Sequence, residues 1–339
     1  MKQILVVGPS WVGDMVMAQS LFQTLKQMHE CEIDVLAPEW SLPILGRMPE
    51  VRYGIIMPVG HGRLGLGVRW ELGQKIRQAG YDHAIVLPNS FKSALIPFFA
   101  GIPLRTGFRG EMRFGLLNDM RALSKQRLPM TVQRFVTLAR RINQPLPDPL
   151  PRPRLTPDAE NQRTLHERLS LNPERPAIAF MPGAEYGPAK QWPIEYFAST
   201  ARMLGKRGFD IWILGSAKDA ADGDAIIAQA GGGHVFNLCG QTSLGDAVDL
   251  LALARASVTN DSGLMHVAAA LDRPLVALFG SSSPDHTPPL SDAAEVRYLA
   301  IECSPCFQRT CPLGHTRCLT EISPESVLER LDAQLALTS

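Results

Sequence analysis

Short apolar runs alternate with helix-length segments along almost the whole chain, and this alternation restricts the possible folds most strongly. The first run, residues 4–7, is followed by a glycine-bounded turn and by a helical pattern that reaches about Met28. Helix-length segments also follow the runs at residues 84–87 and 177–181, and another precedes the run at residues 275–279. Parallel strands need a crossover between them, and that crossover is usually a helix. The sequence therefore predicts an α/β protein built on parallel sheets.

A proline-rich segment divides this alternation into two halves. Six prolines stand between Pro145 and Pro157, where they exclude a helix and favour an extended linker. At 339 residues the chain is also long for a single core. We therefore predict Rossmann-like domains over residues 1–150 and 151–322, followed by a C-terminal helix over residues 323–339. Two such domains facing a central cleft have the shape of a GT-B glycosyltransferase, which other two-domain α/β enzymes share.

Composition narrows the range of partners and locations. The net charge of +1 gives no overall electrostatic attraction for nucleic acid. The first apolar run is too short for a signal peptide, and no run approaches the roughly 18 apolar residues of a membrane-spanning helix. We expect a cytoplasmic protein that binds no nucleic acid, with peripheral membrane contact left open.

The turn after the first predicted strand carries a carboxylate. Gly8 and Gly13 have the spacing of a P-loop, but Asp14 and Met15 stand where a P-loop has Lys and then Ser or Thr. Because a carboxylate repels phosphate, this turn is not expected to hold one. Asp14 instead places an acid at the carboxyl edge of a strand, where open α/β sheets bind ligands. The alternative is that Asp14 merely caps its helix.

Two turns in the second half have the features of an anion site. The stretch NDSGLMH at residues 260–266 begins a helix whose exposed amides suit a pyrophosphate, with His266 one turn further on. Lys190 is a lone cation in a Gly/Pro-rich loop that also follows a strand. The alternatives are an ordinary helix cap, a buried core histidine and a solvated loop lysine.

Two further clusters remain open at this level. The first group consists of four cations beside an apolar segment at residues 95–99, namely Lys92, Arg105, Arg109 and Arg113. A mixed basic and apolar surface suits an anionic amphiphile, and the alternative is an exposed charged loop without a ligand. Four cysteines near His315 supply enough ligands for a tetrahedral structural metal site, although free thiols or a redox role fit the spacing as well: Cys303, Cys306, Cys311 and Cys318.

With these turns in place, the sequence resembles the heptosyltransferase family of GT-B glycosyltransferases over nearly its whole length. The stretch TNDSGLMHVAAAL at residues 259–271 is the most specific signature. Segments at residues 10–20 and 89–95 indicate the branch that adds the second heptose. The stretches that carry the resemblance are GPSWVGDMVMAQS, LPNSFKSALIPFFAGIPLRTGFRGEMR, PGAEYGPAKQWP, LFGSS and TNDSGLMHVAAAL.

The resemblance implies an activity and its substrates. The enzyme would transfer L-glycero-D-manno-heptose from ADP-heptose to the first heptose of the lipopolysaccharide inner core, heptosyl-Kdo2-lipid A. It would invert the anomeric centre, need no metal for the chemistry and act at the inner face of the inner membrane. The alternatives are a non-catalytic sugar-nucleotide-binding protein and a transferase that uses another nucleotide sugar.

The resemblance also implies roles for individual residues. Asp14 matches the catalytic base, and Lys190 matches the lysine near the donor diphosphate. Asp219 falls where relatives bind the adenosine ribose. The four cations of the first half lie in a family stretch, which supports assigning them to the acceptor's anionic core sugars. Four more residues match the donor-binding signature: Asp261, Ser262, Gly263 and His266.

Overall fold

The computed structural model describes residues 1–60 and 62–337. The chain divides into two compact units, Met1–Pro153 and Arg154–Ser339, and each has its own sheet. None of the helices within the described ranges combines the length and the apolar character that a membrane-spanning segment requires.

The first unit is built on a parallel sheet. Across the described residues this sheet has six strands, in the order β3-β2-β1-β4-β5-β6. The strands are β1 (Lys2–Val7), β2 (Cys31–Ala37), β3 (Val51–Ile56), β4 (His83–Val86), β5 (Leu104–Phe108) and β6 (Asp119–Arg121). The helices are α1 (Val12–Met28), α2 (Leu42–Leu45), α3 (Leu66–Arg77), α4 (Leu95–Phe99) and α5 (Thr131–Ala139), with short 3-10 helices at Glu39–Ser41 and Phe91–Ala94.

The second unit repeats this design. Its sheet, counted over the part of the chain that the structure describes, has six parallel strands in the order β12-β11-β10-β7-β8-β9. The strands are β7 (Ala177–Met181), β8 (Asp210–Ile213), β9 (Val235–Asn237), β10 (Ala256–Asn260), β11 (Leu275–Phe279) and β12 (Ala294–Tyr298). The helices are α6 (Ala159–Arg168), α7 (Ile194–Lys206), α8 (Ala220–Ala230), α9 (Leu244–Leu253), α10 (Gly263–Ala270), α11 (Arg317–Thr320) and α12 (Pro324–Leu337), with 3-10 turns at Pro188–Lys190 and Ala217–Asp219.

The central strands are apolar because helices cover both faces of each sheet. β7 and β11 are buried along their whole length. The indole of Trp192, which is 1% exposed, lies in the core of the second unit and donates its N–H to the carbonyl of Ile322 at 2.9 Å. Val327 and Leu331 bring α12 into the same core. The prediction of α/β architecture with parallel sheets is confirmed.

The strand order reverses once in each sheet. In the first unit the chain moves outward from β1 to β2 and β3, and then returns to β4 on the other side of β1. In the second unit the corresponding reversal lies between β7 and β10. A crevice opens at such a topological switch point, beyond the carboxyl ends of the strands, and open α/β sheets bind their ligands there.

Candidate active site

An ion pair spans the switch point of the second unit. Lys190 comes from the loop after β7, and Asp261 directly follows β10. The ammonium of Lys190 contacts the carboxylate of Asp261, whose side chain is only 5% exposed. The structure thus brings together two residues that the sequence placed on separate turns, about 70 positions apart.

Two residues that sequence reasoning missed hold this pair in place. Asn260 is fully buried; its side-chain oxygen accepts the backbone N–H of Trp192 at 3.0 Å, and its side-chain amide donates to the Pro182 carbonyl at 2.5 Å. Ser282, from the loop after β11, donates its hydroxyl to the Asp261 carboxylate at 2.5 Å. Both residues lie in stretches that carry the family resemblance, but only the fold shows that they support the ion pair.

The N-terminus of α10 provides an anion site beside this pair. Ser262 is the N-cap residue, and its side chain makes no capping hydrogen bond to the first turn. Gly263 is the first helical residue and is half-buried. Backbone N–H groups at a helix start have no intrahelical partner, and the helix dipole favours negative charge there. The first turn of α10 is therefore suited to bind a phosphate.

His266 lies under this turn as a neutral imidazole. It is buried in α10, and this burial lowers its pKa to about 4. Asp261 acts in the opposite direction, whereas the nearby charge of Lys190 lowers the pKa further. His266 therefore interacts with its surroundings as a hydrogen-bonding group near neutral pH and adds no positive charge.

A cavity of about 190 Å³ opens beside Lys190. Its walls combine hydroxyl groups and an imidazole with two aromatic rings, a mixture that suits a polyhydroxylated ligand. The ring of Tyr186 lies 5.2 Å from the Lys190 ammonium, and its hydroxyl donates to the Phe307 carbonyl at 2.7 Å. The lining residues are Tyr186, Lys190, Ser282, Ser283, His286, Thr287 and Phe307.

Asp219 lies at the same edge, beyond β8. One of its carboxylate oxygens accepts hydrogen bonds from the Ser216 N–H at 2.7 Å and the Ser216 hydroxyl at 2.8 Å. A Cβ at Gly183 would come within 2.5 Å of this carboxylate, so only glycine lets the loop after β7 pass it so closely. Asp219 thus closes a capping box and also borders the glycine loop that leads to Lys190.

In the first unit, Asp14 lies at the switch point beside β1. It is half-buried in the first turn of α1, which begins at Val12. The N-cap residue is Trp11, and Asp14 is the acidic residue of the first helical turn. A Cβ at Gly8 in the preceding turn would come within 2.7 Å of the Met15 methyl group, so any larger residue there would displace the end of that side chain. The turn thus brings the acid to the edge of the sheet, and the helix dipole favours its charged form.

The loop after β5 packs onto the turn after β4. The Glu111 carboxylate accepts the Phe91 N–H at 2.9 Å, and the Glu111 N–H donates to the Asn89 carbonyl at 3.0 Å. This packing brings the loop of Arg109 beside the 3-10 helix that carries Lys92. Arg109 is exposed. Lys92 is half-buried, and its ammonium makes one long hydrogen bond, to the Arg63 carbonyl at 3.4 Å in an exposed environment, so both charges are open to an anionic ligand.

The other two cations of this group are held by the protein itself. Arg105 is half-buried and donates to the Leu116 carbonyl at 2.6 Å and the Ile102 carbonyl at 2.5 Å. Arg113 is fully buried and donates to the carbonyls of Pro88, at 2.7 Å, and Phe108. Burial lowers the pKa of Arg113 to about 10. The expectation that Arg113 contacts the acceptor directly is therefore wrong, because its guanidinium has no access to a ligand and holds the loop instead.

The four clustered cysteines line one small cavity of about 30 Å³ together with His315. All four are free thiols. Within residues 1–60 and 62–337, no three His, Cys, Asp or Glu side chains are placed to hold one metal ion. The N–H of Thr316, followed by those of Leu313, Gly314 and His315, lowers the pKa of the Cys311 thiol. Burial raises the pKa of Cys318. Ala189 and Ser281, the chain neighbours of Lys190 and Ser282, also line this cavity, so the cysteine cluster lies next to the switch point. A structural metal stays a prediction.

The two units together define a class of protein. A parallel α/β unit with an acid at its switch point is followed by a second unit whose switch point carries a cation, a helix N-terminus and a hydroxyl-lined cavity. This combination is typical of a glycosyltransferase that uses a nucleotide-sugar donor.

Comparison with known proteins gives the family. Residues 69–317 match glycosyltransferase family 9 (heptosyltransferase), so the chain belongs to this family. It is 51% identical to lipopolysaccharide heptosyltransferase 2 of Escherichia coli (strain K12), with 98% of each chain covered. It is also 49% identical to lipooligosaccharide heptosyltransferase 2 of Haemophilus influenzae, with 98% of this chain and 99% of the relative covered.

A solved structure extends the comparison to the fold. The structure of E. coli ADP-heptose lps heptosyltransferase II matches with a TM-score of 0.90 and 48% identity, covering 100% of this chain and 99% of that one. The predictions of a GT-B fold, of a glycosyltransferase and of the heptosyltransferase family are confirmed.

Proposed function

We propose that this enzyme transfers L-glycero-D-manno-heptose from ADP-heptose to the first heptose of the lipopolysaccharide inner core. The observation that carries the proposal is the Lys190–Asp261 pair beside the uncapped N-terminus of α10. These groups offer positive charge to a diphosphate and a carboxylate to the attached sugar. Support for the choice of sugar and acceptor comes from two relatives named heptosyltransferase 2, which this chain matches along almost their whole length.

The donor diphosphate belongs at the first turn of α10 in this proposal. Backbone amides of Ser262 and Gly263 meet the phosphate oxygens, and Lys190 adds a point charge. Departing ADP gains negative charge as the glycosidic bond breaks, so positive groups fixed here stabilise the transition state more than the ground state. Because these groups already supply the charge, the proposed chemistry needs no metal ion.

The sugar and the nucleoside take neighbouring positions. Asp261 already accepts from Lys190 and Ser282, and a carboxylate has further lone pairs with which to accept a hydroxyl of the heptose. We place the adenosine ribose at Asp219, since one of its carboxylate oxygens is held by Ser216 and the other lies against Gly183. His266 supports the diphosphate turn as a neutral group.

Asp14 is the proposed base. The acceptor hydroxyl attacks the anomeric carbon from the face opposite ADP, its proton passes to the Asp14 carboxylate, and the bond to ADP breaks, which inverts the anomeric centre. A carboxylate at a helix N-terminus is a weak base. It suffices if the proton moves late, after the glycosidic bond has largely broken.

The acceptor, heptosyl-Kdo2-lipid A, is anionic and belongs to the first unit in this proposal, with the donor on the second. Lys92 and Arg109 are its candidate contacts because their charges are accessible. Arg105 contributes by shaping the same loops, since backbone carbonyls already accept its N–H groups. We propose that the enzyme meets this lipid-borne acceptor from the cytoplasm, at the inner face of the inner membrane.

The decisive experiment is transfer itself. The purified chain is incubated with ADP-heptose and heptosyl-Kdo2-lipid A, and mass spectrometry of the lipid should show the gain of one heptose. An unchanged lipid mass would reject the proposed reaction.

Thermal shift with ADP and UDP separates the alternative donors, since a ligand of the folded state raises the Tm. ADP should raise it and UDP should not, whereas a protein that binds ADP without any transfer would be a non-catalytic binding protein.

A further inference from the structure

The start of α3 exposes an unusual amount of apolar surface. Four apolar side chains stand within seven residues, and each is between 43% and 54% exposed: Leu64, Leu66, Val68 and Trp70. Leu66 and Trp70 are four residues apart and share one side of α3, whereas Val68, two residues from each, points to another side. Soluble proteins rarely leave large apolar side chains together in water unless the surface has a partner. Trp70 is the most exposed of the four.

Two phenylalanines extend this surface from short helices that pack on α3. The buried side chain of Arg69 donates to the carbonyls of Leu64 at 2.7 Å and Lys92 at 3.2 Å, which ties the 3-10 helix of Phe91 to the loop before α3. A Cβ at Gly73 would come within 2.6 Å of Phe99, so α4 lies directly against α3. Phe91 and Phe98 are themselves 40% and 42% exposed. We call this surface the α3 face.

The charges in the segments that carry the α3 face are mainly positive. Within the described segments 62–78 and 91–99, the cations that are not buried are Arg63, Lys75, Arg77 and Lys92, and Glu71 is the one acid. Glu111 adds a second carboxylate where it accepts the Phe91 N–H. Arg77 donates to the Phe99 carbonyl at 3.0 Å, so its charge lies beside α4.

We propose that the α3 face docks on an anionic bilayer surface, with Leu64, Leu66 and Trp70 inserted among the headgroups. Tryptophan favours the membrane–water interface because its ring is apolar and its N–H is polar. Lysine and arginine near the surface add attraction to anionic lipids. An apolar loop and helix start rimmed by cations match such a surface. The inference deepens the proposed function, whose acceptor resides in a bilayer, but it is tested without either substrate.

The test is sedimentation with sucrose-loaded vesicles of phosphatidylcholine alone or with phosphatidylglycerol. The wild-type chain should sediment with the anionic vesicles, and much less with the neutral ones or at high salt. The double variant Leu66→Ser/Trp70→Ser should lose about tenfold or more in partitioning. The matched control Ile142→Ser/Leu313→Ser, which alters two other exposed apolar side chains, should sediment like the wild type.

A charge variant tests whether the cations of the α3 face attract anionic lipids. Arg63→Gln/Lys75→Gln should reduce partitioning by about fivefold for each cation removed. Unchanged Tm values for all variants would show that folding is intact, as expected for exposed positions. Two results would overturn the proposal: the wild type does not sediment with anionic vesicles, or the Leu66/Trp70 double variant sediments as well as the wild type. The first result would indicate that the partner of this surface is a protein. Failure here leaves heptose transfer to a detergent-dissolved acceptor unaffected, so the two proposals are judged separately.

Discussion

Replacing Lys190 by methionine tests the central ion pair most directly. Methionine keeps most of the volume of lysine but removes its charge. The Asp261 carboxylate, only 5% exposed, then keeps Ser282 but loses its cation. Breaking one side of a buried pair costs about 3 kcal/mol, because a buried charge is left without its partner. For a unit of this size, such a cost lowers the Tm by roughly 6–12 °C.

The same substitution should weaken donor binding. A hydrogen bond to a charged group contributes about 1.5–3 kcal/mol, so losing the proposed contact of Lys190 with the diphosphate should raise the Kd for ADP roughly 10- to 150-fold. Isothermal titration with ADP measures this Kd, and calorimetry of the free protein measures the Tm.

A double variant separates the two effects. Lys190→Met/Asp261→Asn removes both charges, so the Tm should recover most of its loss, while the affinity for ADP should stay low. Lys218→Met serves as the control for stability, because its ion pair with Glu185 is largely exposed and its loss should leave the Tm unchanged. A single Lys190→Met variant with the Tm and the ADP affinity of the wild type would refute the reasoning.

Three further predictions concern other residues. Asp14→Asn should fold and bind ADP normally but lose about 10²- to 10⁴-fold in kcat in the transfer assay; near-normal turnover would exclude Asp14 as the base. Arg113→Leu should lower the free energy of unfolding in urea by about 2–4 kcal/mol, since it leaves buried carbonyls unsatisfied, whereas Arg109→Leu should change it little; equal stability of the two would contradict the structural role of Arg113. His266 has a folded pKa of about 4 against about 6.5 when unfolded, so the unfolded state binds the extra proton between these values. The contribution of neutral His266 to the free energy of unfolding is therefore fully present above pH 6.5, and it falls by up to about 3 kcal/mol as the pH drops to 4. Urea unfolding of His266→Gln should show a flatter dependence on pH over this window, and an unchanged slope would place the titration elsewhere.

Local pattern was enough to identify the parallel α/β design and the turns that carry the site. Buried central strands are continuous apolar runs, and a turn followed by a helix start is read from a few neighbouring residues. Asp14 and the stretch from Asp261 to His266 were found in this way. The edge strands β6 and β12 were not, because both are half-buried and polar enough to lack such a run.

Through-space relations were decided only by the tertiary structure. The sequence presents Lys92 and Arg113 as similar loop cations, yet one is accessible and the other is fully buried among backbone carbonyls. Likewise, nothing local pairs Lys190 with Asp261. They meet because β7 and β10 become neighbours at the point where the strand order reverses. Secondary structure follows from contacts a few residues apart, whereas burial and pairing depend on which distant segments the sheet brings together.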